Sequence, residues 1–282
     1  MSTTAYDPAP RPLADRGFPT PPTGRDDGFG RFMLNKVPEV TLAFWVIKMM
    51  STTVGETGAD FLIFNANLGL VATSWIMSGL LAAVLLVQLR LGKYVPASYW
   101  LAVVMVSIVG TLVSDYLVDE RGLALPTATL LFGAALATTF ALWYAVERTL
   151  SIHAITTTRR ELFYWAAILC TFALGTAAGD WLAESVGLGY ATSAALFAVG
   201  IAAVYGAYRA GLNPVLAFWV AYVLTRPFGA SMGDLLSQPT SNGGLGLGTV
   251  GTSAVFLVVI AALVGWLTMR EHRANAGRVV VR

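Results

Sequence analysis

The sequence predicts an all-α membrane protein: eight transmembrane helices, arranged as four parallel two-helix repeats, with both termini cytoplasmic. Three observations carry that expectation. The chain of 282 residues is 56% hydrophobic and 12% charged, with a mean hydropathy of +0.67, too little charge to cover a soluble surface of this size. Apolar stretches near the ~20 residues that cross hydrocarbon recur from Val40 onward. A tryptophan, a glycine ten residues later and an aspartate five beyond that occur together four times, as Trp45-Gly55-Asp60, Trp100-Gly110-Asp115, Trp165-Gly175-Asp180 and Trp219-Gly229-Asp234.

Residues 1–36 read as a disordered cytoplasmic tail, rich in proline, glycine, arginine and aspartate and without the apolar core of a signal peptide. Repeat 1 (residues 37–94) holds spans at 40–61 and 70–89, and repeat 2 (95–149) spans at 97–118 and 126–146. Repeat 3 (157–211) holds spans at 161–183 and 190–208, and repeat 4 (212–269) spans at 214–236 and 249–269. Residues 270–282 form a second cytoplasmic tail. Each repeat reads as a hairpin: a leading Trp-Gly-Asp helix, a short loop, and a plainer returning helix opened by Gly-Leu, as at Gly69-Leu70 and Gly187-Leu188.

Basic residues set the orientation. Arg90, Lys93, Arg148, Arg159, Arg160 and Arg209 fall in links on the side of both tails, whereas the opposite side carries only Arg121. The positive-inside rule then places both termini in the cytoplasm. With two spans each, all four repeats enter the bilayer the same way round.

Within a leading helix the tryptophan and aspartate are roughly 22 Å apart at ~1.5 Å per residue. The tryptophans are expected at the cytoplasmic interface as amphipathic belt residues. The Gly-x-x-x-small pattern (Gly55–Ala59, Gly110–Ser114, Gly175–Gly179, Gly229–Gly233) allows close backbone approach, which would draw the leading helices together. Asp60, Asp115, Asp180 and Asp234 could each mark a membrane surface or cap a loop. Against that, an acid near a helix carboxyl end meets the negative pole of the dipole, and intramembrane acids are by default functional. Glu56 lies four residues before Asp60 and deeper in the same span, on the same helix face, so the two carboxylates repel unless a cation or proton sits between them.

Thr52, Thr53 and Thr57 supply hydroxyls beside Glu56, while Lys48 and Arg226 are basic residues within spans, Arg226 being too central to snorkel and therefore expected to pair. Pro227 is expected to kink its helix. Asp119, Glu120, Glu147, Glu161 and Glu184 fall at span ends, where solvated charge is the default. Cys170 reads as a small buried hydrophobe, and His153 and His272 lie outside the spans, which argues against haem or thiolate-metal chemistry. No nucleotide fingerprint or nucleophile pair points to an enzyme.

Carboxylates with hydroxyls and no usable sulfur or imidazole make a hard-oxygen site suited to Mg²⁺, Ca²⁺, Mn²⁺ or a proton. Glu56, Asp60, Asp115, Asp180 and Asp234 are therefore the expected metal ligands of a cation exporter that binds no permanent cofactor and no nucleic acid; its partners are the bilayer and a small inorganic cation, and a homo-oligomer is compatible. The blocks Val37-Pro38-Glu39-Val40 and Thr52-Thr53-Val54-Gly55-Glu56 resemble a bacterial family of uncharacterised membrane-anchored proteins built from repeated two-helix units. That resemblance covers the eight spans and implies a multi-pass inner-membrane protein, with manganese export as the associated activity of some relatives. Two other readings are a non-transporting scaffold or assembly protein, and an anion or organic-solute carrier using Lys48 and Arg226.

Overall fold

The computed structural model of the chain describes residues 35–279, with side chains through residue 270. Among the described residues there are eight α-helices and no strand: α1 (Leu42–Asp60), α2 (Leu70–Arg90), α3 (Pro96–Asp115), α4 (Leu125–Glu147), α5 (Thr158–Asp180), α6 (Tyr190–Arg209), α7 (Pro214–Ser237) and α8 (Thr249–Val279). Thr41, Thr157 and Asn213 accept backbone N–H bonds at the starts of α1, α5 and α7, as N-cap residues do. Gly69 and Gly189 open α2 and α6 at φ +72° and +74°, a conformation that favours glycine.

Helices α2 to α8 are long and apolar enough to cross a membrane, which makes this a multi-pass membrane protein. The helix missing from that set is α1, which carries Lys48, Glu56, Asp60 and the run Ser51-Thr52-Thr53. It is also enclosed, with α3, α7 and α8 packed around it. A helix shielded by other helices does not meet lipid along its length, so its polar residues cost less than hydropathy implies.

The leading helices form a closed ring, in which α1 packs on α3, α3 on α5, α5 on α7, and α7 back on α1. The glycines set its register. Gly55 faces Ser107, Gly110 faces Phe172, Gly175 faces Arg226, and Gly229 faces Thr52. Each contacted residue lies three before the glycine of its own repeat, so the four helices run parallel at one level. A Cβ on Gly55 would lie 2.9 Å from the Ser107 carbonyl carbon, and one on Gly110 would lie 3.2 Å from the Ala173 nitrogen. The backbones approach too closely for any side chain there.

Each returning helix packs beyond its own hairpin. Helix α2 packs on α3, α4 on α5, α6 on α7, and α8 on α1. Each therefore leaves its own leading helix and covers the next, and α8 closes the circle. Their outer faces stay apolar and exposed, as at Trp75, Leu130, Val199 and Val258. Leading helices are buried and returning helices form the apolar rim.

The tryptophans, expected as belt residues, are largely enclosed by the ring. Trp100, Trp165 and Trp219 are buried, and Trp45 is half-buried. They pack with Phe44, Tyr99, Tyr164, Phe218 and Tyr222 into an aromatic cluster that fills one end of the ring. Aromatic pairs of this kind add to the burial of their large rings. Two charge assignments also change. Lys36, read as part of the tail, is buried and ion-paired to Glu161 at 2.8 Å, and Glu161, read as solvated, is fully buried. Gln88 donates to Glu161 at 3.1 Å and accepts from Ser98 at 2.7 Å. A buried carboxylate needs such partners to offset its desolvation. The remainder of the 1–36 tail, up to residue 34, lies outside the described residues.

Candidate functional site

Three helical levels above the aromatic cluster build the site. Position by position, each leading helix presents one stripe of residues to the ring axis: one after the glycine, five after it, and nine after it. Steps of four keep such residues on one face. The first level is Glu56, Thr111, Thr176 and Ala230; the second is Asp60, Asp115, Asp180 and Asp234; the third is Phe64, Asp119, Glu184 and Gln238.

The second and third levels line a single cavity of about 330 Å³, and Glu56 reaches it from the first. All four repeated aspartates therefore converge, and with Glu56, Asp119 and Glu184 the cavity presents seven carboxyl groups. Exposure falls along the axis. Asp119 and Glu184 are exposed at the mouth; Asp60, Asp115 and Asp180 are half-buried; Asp234 and Glu56 are buried. Gln238 donates to Asp60 at 3.5 Å, linking the fourth repeat to the first.

Local backbone geometry holds the aspartates at this rim. Asp60, Asp115 and Asp180 are each the last α-helical residue before a single wider turn: Phe61–Asn65, Tyr116–Glu120 and Trp181–Ser185. In these turns the N–H of Ala66, Arg121 and Val186 bonds the carbonyl five residues back. Such π turns are frequent at functional sites and re-aim the residues beside them. The fourth repeat lacks one, and α7 runs through Asp234 to Ser237.

Arg226 forms the floor. Its Nη2 donates to Glu56 Oε2 at 3.0 Å, to Thr176 Oγ1 at 2.7 Å and to Thr111 Oγ1, while Nη1 donates to the Thr52 carbonyl at 3.3 Å. The guanidinium thus touches all three other leading helices at the first level. Beneath it, Lys48 Nζ donates to the Tyr222 carbonyl at 3.3 Å and lies over the Tyr222 and Phe172 rings at 4.3 and 4.9 Å. Cation–π contact and the carbonyl together compensate a fully buried ammonium.

The supporting hydroxyls divide. Thr52 meets the site through its carbonyl. Thr53 and Thr57 do not reach it: Thr53 donates to the Met49 carbonyl, and Thr57 pairs with Ser253 of α8 at 2.7 Å. Thr57 thus sits in the seam where α8 covers α1. The residues missed by sequence reasoning are Asp119, Glu184, Thr111 and Thr176. A signal for the first two was present, since each follows a repeat aspartate by four residues and so shares its face.

The carboxyl groups are spread over the cavity. Among the described residues, no three acidic, histidine or cysteine side chains are gathered tightly enough to hold one metal ion. Seven carboxyl groups around one volume offer oxygen donors and proton acceptors, a chemistry suited to hard cations or protons.

No curated protein and no solved structure shows a significant match to the chain. A family described as Repeat of Unknown Function (DUF347) matches four times, at residues 43–94, 98–149, 163–210 and 217–273. Those four stretches take in more than half of the sequence, and the chain belongs to the DUF347 repeat family.

Proposed function

We propose that the protein is a membrane carrier of small hard cations rather than an enzyme, with the acid-lined cavity as its loading site. The observation that carries this reading is the convergence of four repeated aspartates and Glu56 on one cavity. Four acids dispersed on the surface would serve no common ligand. Gathered within a helical bundle they are expensive, and such groups mark ion pathways. A divalent cation, with manganese favoured, fits a donor set of carboxylates and hydroxyls without sulfur or imidazole.

In this proposal all eight helices span the inner membrane, α1 doing so as one wall of the ring and largely covered by its neighbours, and both termini face the cytoplasm. The acid cavity then opens outward. The aromatic cluster and the Lys36–Glu161 pair close the cytoplasmic end, so the conformation is outward-facing and alternates with one that opens inward. A scaffold would need the glycine notches but not the acids they bring together. An anion carrier is disfavoured by seven carboxyl groups at the entrance, and by Lys48 and Arg226 being committed to internal partners.

The test is flux. Purified protein in liposomes should move Mn²⁺ down a gradient, and Asp115→Asn combined with Asp180→Asn should suppress that movement while leaving the protein folded. Whole-cell elemental analysis of a deletion strain should show raised manganese. Unchanged content across divalent metals, with no flux in liposomes, sinks the reading.

A further inference from the structure

The oxygens around Arg226 are unevenly matched to its five donors. Three oxygens from three helices, Glu56 Oε2, Thr111 Oγ1 and Thr176 Oγ1, converge on its single Nη2 atom. That nitrogen carries two hydrogens, so all three oxygens are served only when Thr111 Oγ1 turns its own hydrogen to Glu56 Oε2, 3.3 Å away. The hydroxyl hydrogens have other places to go: Thr111 Oγ1 is 3.3 Å from the Ser107 carbonyl and Thr176 Oγ1 is 3.3 Å from the Phe172 carbonyl. Back-bonding of this kind leaves hydroxyl lone pairs facing the axis. The other side of the match is also poor. Arg226 is completely buried, yet among the described residues its Nε has no hydrogen-bond partner, an arrangement that costs a buried donor.

A cage of one carboxylate oxygen and two hydroxyl oxygens around one point, with the Thr52 carbonyl beside it, is a better match for a spherical cation. Such an ion has no fixed number of hydrogens to direct and takes every lone pair at once. We infer that Glu56, Thr111, Thr176 and the Thr52 carbonyl form a cation site distinct from the aspartate cavity above it, and that Arg226 is its tethered resident occupant. A small hard cation that has shed part of its water enters from the cavity through Glu56 and displaces the guanidinium. Glu56 is placed for this because it belongs to both sites, lining the cavity while accepting from Arg226.

The displacement gives Arg226 a function that a static counter-ion would lack. With no substrate ion bound, the site is not left as an uncompensated buried carboxylate. With an ion bound, the guanidinium must move, and it is rooted in α7 directly before Pro227, where the helix lacks one backbone donor. Filling the cage is thereby linked to a shift of the helix whose Gly229 packs on Thr52.

This inference rests on the cation reading, and a binding measurement on the purified full chain separates the two. MnCl₂ titrated calorimetrically into wild type should bind weakly, because the resident occupant lowers the fraction of competent cage. Arg226→Gln should tighten Mn²⁺ binding roughly tenfold or more. Adding Thr111→Val and Thr176→Val to that variant should remove the gain, since both keep side-chain shape and delete the hydroxyls. A gain that survives the two valines comes from removing positive charge near the aspartates and overturns the inference. Equal affinity in wild type and Arg226→Gln overturns it too, whether or not liposome flux is present. If Arg226→Gln does not fold, the two valines in the wild-type background decide the matter: weakened Mn²⁺ binding supports the cage, and unchanged affinity overturns it. An Arg226→Gln gain that the two valines remove, in a protein without flux, would leave the cage standing and remove the carrier reading alone.

Discussion

Arg226 Nη2 and Glu56 Oε2 stand 3.0 Å apart although 170 residues separate them in sequence. The pair joins the last repeat to the first between adjacent helices of the ring, where both side chains are buried. Removing one member of such a pair strands the other, whereas removing both need not be costly. Glu56→Gln should therefore lower stability by about 3–5 kcal/mol. Glu56→Gln with Arg226→Met should recover much of that loss. Thermal melting in detergent measures both, and a double variant less stable than the single one would contradict the pairing.

The glycine notches make a sharper contrast. Gly55→Val drives a side chain into Ser107 and its backbone, and Gly110→Val does the same at Phe172. Both should abolish accumulation of folded protein in the membrane. Gly79 lies on the returning helix α2 with nothing within 4 Å of a new Cβ, so Gly79→Ala should be neutral or stabilising by up to about 1 kcal/mol. Yield and melting temperature of the three variants test the ring register directly.

At the opposite end, Lys36 and Arg159 separate buried from exposed ion pairs. Lys36→Ala leaves Glu161 buried beside Gln88 and should cost about 3–5 kcal/mol. Arg159, largely exposed beside Glu147, should cost less than about 1 kcal/mol on replacement by alanine. Similar losses from the two would mean that the Lys36 bridge is solvated rather than structural.

Thr57 and Asp180 are polar residues on opposite helices of the ring, α1 and α5, and face different surroundings. Asp180→Asn should reduce Mn²⁺ flux in liposomes, because its carboxyl lines the cavity. Thr57→Val should leave flux near the wild-type rate and act, if at all, on the α1–α8 seam where Thr57 meets Ser253. The reverse order would move the transport path to that seam.

Helix positions were legible because hydropathy and repeat spacing depend on the chain alone. The expected span 70–89 became Leu70–Arg90, and 214–236 became Pro214–Ser237. What surrounds each helix was less legible. An apolar stretch looks the same whether lipid or protein covers it, so Trp100 and Trp165 read as belt residues although the ring buries them. Glu161 sits at a helix start, where charge is normally solvated, and only the fold brings Lys36 to it. The cavity was half legible: the repeated aspartates announced themselves, but Thr111 and Thr176 are ordinary threonines until Arg226 is placed between them. The packing of α2 on α3 rather than on α1 has no local sequence signature.

The ring closes through α8 on α1, the one junction between neighbouring units that no peptide link crosses. Four identical separate subunits could close the same circle, yet they could not build this axis. Each would bring its own residue to the level of Arg226, and the centre would receive four guanidiniums or none. Joining the copies in a single polypeptide lets them diverge, so that one supplies Glu56, two supply threonines, and the last supplies the lone arginine. Covalent fusion thus converts a shared symmetric lumen into a chamber with assigned places, which an assembly of equals has no means of specifying.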